Sequence, residues 1–507
     1  MKGCILSTSK KGNSYLYDRG HGSSMYCHPL LRHFIELLNN GADPEEWFAR
    51  QPDGEVEIDA YGKVPKQQLG YYLHKFLLMK ADGYFAPFDN ERYLSGRLEA
   101  RDVELALANI RQVTYEVTDA CNLNCEYCGY GKFYSDYDTR TDKKLDVEAG
   151  KRTLDYLLEL LNSPLNQSHH RPIYISFYGG EPLMNIPFIE EMVDYVKRLD
   201  FKHNHTVFSM TTNALLLEKY MDFLQANEFN LLISLDGDET GSSYRVLKDG
   251  SPAYPHIIRN VEALRAKYPD YFRSNVNFNA VFHNKNNVQG LHKYFKERFD
   301  KIPTLSELNT TGINQELKEE FWATYANVQE SLMQAEDYSL IEKDMFMRLP
   351  NIQGVGLFLD QFNDFTYRDY NEFIFSSEAP RRVPTGTCQP FSKKIFITVN
   401  GKILPCERIG QQHNLGFVDS SKMEIDFQKV ADLYNSYYDK IKRQCVSCSN
   451  SEVCMQCIFN LDIEKPAPKC NGLMGDKELA KLLGTQISYI EENPTIYSKI
   501  IKEVIIE

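Results

Sequence analysis

The residues best suited to chemistry stand in one short run, Cys121-Asn122-Leu123-Asn124-Cys125-Glu126-Tyr127-Cys128. The spacing is C-x3-C-x2-C, and the run follows an apolar stretch at 113–117. Three thiolates from one tight loop can grip three irons of a four-iron four-sulfur cluster, which leaves the fourth iron without a protein ligand. An iron with an open position can bind and activate a small molecule. Most electron-carrying clusters have four cysteine ligands, so a three-cysteine grip points to chemistry rather than wiring. Zinc is the other reading. It calls for a fourth Cys or His nearby, and the next histidine is His169, beyond an intervening helical segment.

A second chemical stretch is Phe177-Tyr178-Gly179-Gly180-Glu181-Pro182. Glycines let backbone approach a ligand closely, and the carboxylate can accept hydrogen bonds from an ammonium group. Alone, such a stretch is often a plain turn. The chain has twelve cysteines, and ten fall in two groups: three at 121–128 and seven from Cys388 to Cys470. Only Cys4 and Cys27 stand outside, and they read as buried structural thiols. In a reducing compartment this clustering signals metal or iron–sulfur ligation rather than disulfides.

The elements that position these residues are legible as periodicity. At 507 residues the chain is long enough for about three domains. A net charge of −13 disfavours nonspecific nucleic-acid binding. No apolar run approaches a membrane span, and the opening MKGCILSTSKKGNSYLYD is not a signal peptide. These features lead us to expect a cytoplasmic protein without a membrane partner. Residues 1–105 read as a separate unit: strands at 4–7, 14–17, 24–27 and 56–58, with helices at 30–38, 44–49 and 67–79. That order resembles a winged helix-turn-helix.

From about residue 110, strand and helix alternate. Strands are expected at 113–118, 173–178, 207–211, 231–235, 275–282 and 304–308. Helices are expected at 147–161, 186–199, 218–227, 253–267 and 288–299. Six such units argue for an α/β fold with a parallel sheet curved into a partial (β/α)6 TIM-type barrel over 106–311. Active sites of such barrels lie at the C-terminal ends of the strands, where the cysteine loop falls. Helices are expected at 316–334 and 338–347, followed by an aromatic-rich stretch (Phe358, Phe362, Phe365, Tyr367, Tyr370, Phe373, Phe375). We take 312–385 as a bridging region, 386–475 as the cysteine-rich domain and 476–507 as a helical tail.

C-x3-C-x2-C after the first strand and G-G-E-P after the second resemble the radical SAM superfamily. The resemblance implies that Cys121, Cys125 and Cys128 ligate a four-iron four-sulfur cluster whose open iron is chelated by S-adenosylmethionine. It implies that the reduced cluster cleaves this cofactor to a 5′-deoxyadenosyl radical. It also places Tyr127 against the adenine, and Gly179, Gly180 and Glu181 at the methionyl amino group. Ser234 and Asp236, in Ile233-Ser234-Leu235-Asp236-Gly237, match the position that meets ribose and carboxylate. Arg245 matches an arginine that pairs with the cofactor carboxylate. Thr212-Asn213 is a looser match. Ser234 as a strand cap and Arg245 as a surface ion pair stay open as readings.

The second cysteine group runs Cys388, Cys406, Cys445-x2-Cys448-x5-Cys454-x2-Cys457, Cys470. It resembles the SPASM extension, which carries two auxiliary four-iron four-sulfur clusters, three clusters in all with the first. The resemblance assigns Cys388, Cys406 and Cys457 to auxiliary cluster I, and Cys445, Cys448, Cys454 and Cys470 to auxiliary cluster II. The family's middle motif usually ends C-x3-C, whereas this one ends C-x2-C. A zinc ribbon is the other reading of the C-x2-C pairs. Glu407, directly after Cys406, stands where an acidic residue acts as a base in related sulfatase-maturing enzymes; a solvated surface Glu is the plainer reading.

A winged-helix-like domain before such a core resembles the leader-recognition element of ribosomal peptide natural-product (RiPP) maturases. The leader would add as a strand to the sheet edge and pack on the helix at 67–79. The expected activity is a radical SAM/SPASM maturase that abstracts hydrogen from a precursor peptide and forms a thioether, carbon–carbon or carbon–oxygen crosslink. A flavodoxin or ferredoxin would supply electrons. Two alternatives remain: an anaerobic sulfatase-maturating enzyme that makes formylglycine, and a non-catalytic redox-sensing regulator that binds peptide or DNA.

Overall fold

In the computed structural model the described residues are 2–58, 61–336, 340–341, 344, 355, 359, 382–385, 389–454, 456–461 and 463–496. They gather into two compact units. The first is built from Met1–Arg97, Phe346–Thr387 and Tyr437–Glu507, the second from Leu98–Met345 and Cys388–Ser436. The cysteine-rich stretch 386–475 thus contributes to both units. The aromatic stretch named above and Cys388 lie outside the described residues, as does most of the helix expected at 338–347.

In the first unit, β1 (Cys4–Thr8), β2 (Ser14–Asp18) and β3 (Ser23–Tyr26) form an antiparallel meander in that order. A separate hairpin pairs β4 (Glu55–Ile58) with β5 (Gly62–Pro65), Val56 opposite Val64. The sequence reading missed β5, a four-residue strand that ends in proline. Three helices, α1 (Pro29–Asn39), α2 (Pro44–Ala49) and α3 (Lys66–Ala81), close the core. Leu69, Leu73 and Phe76 recur at helical spacing along α3 and are buried with Leu30 and Phe34 of α1. Cys4 and Cys27 sit in that same core, and burial pushes both thiols up to about 12. A helix at Asp476–Glu492 lies against β1: Gly484 has no room for a Cβ, which would come 2.5 Å from the Thr8 carbonyl oxygen. Further along it, Ser488 Oγ accepts from the Lys10 amide at 2.9 Å.

Among its described residues the second unit holds one sheet. Its parallel strands are β6 (Gln112–Glu116), β7 (Pro172–Tyr178), β8 (His205–Thr212), β9 (Asn230–Ser234), β10 (Val276–Phe282) and β11 (Thr304–Glu307). They pair in sequential order. Sequential parallel order with right-handed crossovers sends every connecting helix to the same face, the topology of a (β/α)6 sheet. On the outer edge of β6, β12 (Lys394–Ile397) adds in parallel. β13 (Lys402–Leu404), β14 (Gly416–Val418) and β15 (Met423–Glu424) then extend the sheet antiparallel. Among the described residues the sheet is therefore mixed, with ten strands.

The crossover helices form where their caps and apolar stripes predict. Val147–Leu161 starts at Asp146, whose carboxylate accepts from the Glu148 amide, and buries Leu154, Leu157 and Leu161. Val288–Phe299 starts at Asn287 and buries Leu291, Phe295 and Phe299. One expectation fails in form. The single helix expected at 316–334 is two, Lys318–Thr324 and Val328–Met333. Tyr325 leaves the helical region, and the Asn327 side chain caps the second helix through the Glu330 amide at 2.9 Å. A further short helix at Pro269–Asn275, with proline in its first turn, was not among the expected elements. No helix among the described residues is long and apolar enough to cross a membrane.

Candidate functional site

Five of the parallel strands, β6 to β10, deliver polar residues at their C-terminal ends: the cysteine loop after β6, Gly179-Gly180-Glu181 after β7, Asn213 after β8, Asp236 after β9 and His283 after β10. A parallel sheet puts all of these ends on one side. The glycines serve this assembly. The Gly180 amide donates to the Thr118 carbonyl at 2.7 Å and the Glu181 amide to the Ala120 carbonyl at 2.8 Å. A Cβ on Gly180 would sit 2.0 Å from the Ala120 oxygen, and one on Gly179 (φ +137°) 2.3 Å from the Thr118 oxygen. The G-G pair therefore lies edge to edge against the segment that enters the cysteine loop. Residues 141–145 pin that segment from elsewhere in the chain, through Thr118 Oγ1 to the Lys143 carbonyl at 2.7 Å and the Leu145 amide to the Val117 carbonyl at 3.0 Å.

The loop itself is held by backbone. The Asn124 amide donates to the Val246 carbonyl at 2.8 Å and the Glu126 amide to the Tyr244 carbonyl at 3.2 Å. The thiols of Cys121, Cys125 and Cys128 are free and close enough to repel one another as thiolates. Burial pushes Cys125 up to about 12 and Cys121 also upward. Buried thiols that resist ionisation need a cationic core to become thiolates. Three N–H groups approach the sulfurs: the Leu123 amide (3.5 Å) and Asn213 Nδ2 (3.8 Å) on Cys121, and Arg140 Nη2 (3.4 Å) on Cys128. This donor set fits an anionic, sulfur-ligated cluster. No group of three or more His, Cys, Asp or Glu among the described residues is arranged as a single-ion site.

Glu181 is completely buried. Its carboxylate accepts from Thr212 Oγ1 (2.7 Å), the Asn213 amide (2.8 Å) and the Leu183 amide (3.2 Å). Burial pushes it up to about 7 despite these donors. Asp236 and Arg245 form a buried bidentate pair, and the Tyr127 hydroxyl also donates to Asp236. The Val281 amide adds a donor at 2.8 Å. Burial alone would raise Asp236; the Arg245 charge and the hydrogen bonds outweigh it and hold the carboxyl below its ordinary value. The Tyr127 ring stacks on His283, with centroids 5.7 Å apart. Arg245 is thus no surface ion pair. Ser234 ends β9 opposite Asn279.

Glu407 is mostly buried. Both its oxygens lie 3.1 Å from Lys394 Nζ. Burial would raise this carboxyl, but the Lys394 charge and hydrogen bonds bring it below its ordinary value. It is therefore not a solvated surface residue. Cys406 lies beside it, with Sγ 3.7 Å from Glu407 Oε2.

In the first unit, Cys445, Cys448, Cys454 and Cys470 line one pocket of about 360 Å³ including its mouth. Burial, then the neighbouring thiols, push Cys445 up to about 12. Asn90 Nδ2 donates to the carbonyls of Cys445 (3.2 Å) and Val446 (2.8 Å). The buried Arg19 reaches Glu452 at 2.8 Å and the Ser449 carbonyl at 2.9 Å. The pocket thus presents four thiols, three from residues 445–454 and one from Cys470. Cys406 belongs to the second unit and Cys457 to the first. Sequence reasoning missed Arg140, Arg19, Asn90 and His283, which carry no motif; Asn213 gave only a loose one.

Residues 115–297 match the family model described as the Radical SAM superfamily. An uncharacterized protein of Methanocaldococcus jannaschii is 31% identical over 158 residues, 31% of this chain and 49% of that protein. The radical SAM cyclopropyl synthase TigE of Paramaledivibacter caminithermalis is 26% identical over 160 residues, 31% of this chain and 33% of that enzyme. The chain thus spans about half of the first and a third of the second. A cysteine-type anaerobic sulfatase-maturating enzyme of Clostridium novyi is 24% identical over 343 residues, 65% of this chain and 82% of that enzyme. The chain carries a radical SAM domain, which implies S-adenosylmethionine and a four-iron four-sulfur cluster as cofactors.

Proposed function

We propose that this chain is a radical SAM/SPASM maturase that abstracts a hydrogen atom from a ribosomally made precursor peptide and closes a thioether, carbon–carbon or carbon–oxygen crosslink. The observation that carries the reading is the gathering of Cys121, Cys125 and Cys128 with Glu181, Asp236 and Arg245 at one end of a parallel sheet. When bound, the clusters and S-adenosylmethionine supply a 5′-deoxyadenosyl radical and an acceptor for the electron that the substrate radical gives up.

The chain's own residues would bind, orient and move a proton. Glu181, with Gly179 and Gly180, faces the cofactor's ammonium. Asp236 locks Tyr127 and Arg245 in place, so that the Tyr127 ring can meet adenine while the remaining Arg245 donors meet carboxylate; Ser234 contacts the ribose. Glu407 takes the proton released as the substrate radical is oxidised, with Lys394 balancing its charge. Cys445, Cys448, Cys454 and Cys470 hold auxiliary cluster II. Cys406 and Cys457, with Cys388, hold cluster I.

The first unit supports a leader site on β3. The helix Asp476–Glu492 occupies the β1 side, while β3 pairs only with β2 among the described residues. Tyr26 of β3 is exposed, as are Tyr61 and Tyr71 of the same unit. A peptide strand added to that edge gains backbone bonds and aromatic contact. In this reading the domain is winged-helix-like, the protein works in the cytoplasm, and a flavodoxin or ferredoxin reduces it.

The test is anaerobic incubation with reductant, S-adenosylmethionine and any short peptide found in the reading frames beside the gene, read by mass spectrometry. Loss of two hydrogens is expected; an unchanged mass, or deuterium gained from heavy water, would sink crosslinking. The long alignment with the sulfatase-maturating enzyme favours a second reading, formylglycine formation. Conversion of a leaderless sulfatase peptide would establish it.

A further inference from the structure

We propose that Arg140 sets how readily the three-cysteine site accepts an electron, by holding its guanidinium against the sulfur of Cys128. The inference rests on reading the first loop as a cluster site. Arg140 Nη2 lies 3.4 Å from Cys128 Sγ. The guanidinium carbon stands 4.5 Å from the Tyr130 ring centroid, a cation–π contact. Arg140 Nε is buried and has no hydrogen-bond partner.

The placement is built in. The next residue, Thr141, donates its amide to Asp119 Oδ2 at 2.9 Å, and residues 143–145 pair with 117–119 just before the cysteine loop. Tyr130, whose ring meets the guanidinium, is fixed in turn. Its hydroxyl donates to the buried Glu116 carboxylate and accepts from Gln411 Nε2 at 2.9 Å. Glu116 Oε2 accepts from the Val399 amide at 2.9 Å. A cation that swung away would give up both the Cys128 sulfur and a ring that is itself held in place. Arg245 also lies near a ligand, Cys125, but its charge is matched by Asp236.

The physical consequence follows from charge. Reduction adds one electron to a site that is already anionic through three thiolates. No bond breaks and no proton moves, so the buried negative charge grows by one. A fixed cation and an N–H···S bond both favour the more negative state, and hydrogen bonds to sulfur and local charge are known levers on cluster potential. Arg140 is thus a positioning residue that acts through Cys128.

The experiment uses the full-length, anaerobically reconstituted protein, titrated with dithionite and followed by electron paramagnetic resonance. The signal that changes on adding S-adenosylmethionine reports the first-loop cluster. In Arg140→Gln its midpoint should fall so that, at a fixed ambient potential, the reduced-to-oxidised ratio drops about tenfold, equivalent to about 59 mV. Arg140→Lys should retain most of the wild-type value. Wild-type potential in both variants would overturn the proposal. Tyr130→Leu, which removes the ring that meets the guanidinium, should lower the midpoint in the same direction. Loss of this cluster's iron in Arg140→Gln together with an unshifted potential in Tyr130→Leu would also overturn the proposal, since the contact would then be structural only. Absence of any cofactor-responsive signal in the wild type would instead sink the proposed function.

Discussion

Arg245 grips Asp236 with two parallel hydrogen bonds, Nε to Oδ2 at 2.9 Å and Nη2 to Oδ1 at 2.8 Å, with both side chains buried. The pair is more than a local clasp. Asp236 also holds the Tyr127 hydroxyl and the amide of Val281, so it joins the cysteine loop to β10. Removing one partner leaves the other as an uncompensated buried charge.

Asp236→Ala should therefore destabilise the second unit by about 3–5 kcal/mol. Replacing both residues with leucine should cost much less, because no charge is then stranded. Chemical denaturation of the three proteins, followed by a probe in the second unit, checks the ordering. Equal losses for single and double variants would refute it.

The glycine pair gives a sharper test. Gly180→Ala places a methyl 2.0 Å from the Ala120 oxygen, backbone that cannot yield without moving the entry to the cysteine loop. The first-loop cluster should then be lost, along with its share of iron, while the far cysteine pocket keeps its iron. Iron analysis with electron paramagnetic resonance reads both.

Stability should fall as pH rises toward neutrality. Burial pushes Glu116 and Glu181 up to about 7 from an ordinary 4.5. The native state thus holds these protons more tightly than the unfolded state. Each group's contribution is fully present below pH 4.5 and is lost as pH climbs through 7. The slope is at most about 1.4 kcal/mol per pH unit per group. Glu116→Gln should flatten the pH dependence between 4.5 and 7 by one group's share, measured by denaturation at stepped pH.

The pocket in the first unit makes a count. Cys448→Ala should remove about four irons, one cluster's worth. Arg19→Met should do the same less completely, since Arg19 braces the loop through Glu452 and the Ser449 carbonyl. Retention of full iron in Cys448→Ala, or zinc in place of iron, would overturn the assignment.

Lys394 holds Glu407 ionised. Lys394→Met removes the charge that keeps this carboxyl low, so its titration should move upward. If Glu407 is the base for peptide oxidation, the acid limb of the pH–rate profile should shift to higher pH in Lys394→Met. It should vanish, with the activity, in Glu407→Gln. An unshifted limb would remove Glu407 from the chemistry.

Much of this protein was determined by its sequence alone. The alternation of apolar strands and capped helices yields the six parallel strands, because a strand's period of two and a helix's 3.6 are local properties of the chain. The spacing of Cys121, Cys125 and Cys128 marks the first site, since ligands within one loop need no tertiary partner to be brought together. Other features were decided only by the tertiary structure. Arg140 meets Cys128, Arg19 braces the loop of Cys448 and Cys454, and Asp236 spends itself on Arg245 and Tyr127. Arg19 with Ser449 and Asp236 with Tyr127 join residues far apart in the chain, and all of these contacts set a charge against whatever the packed fold places beside it. A single charged residue carries no period and no motif, so its partner becomes legible only when burial leaves it no water to choose instead.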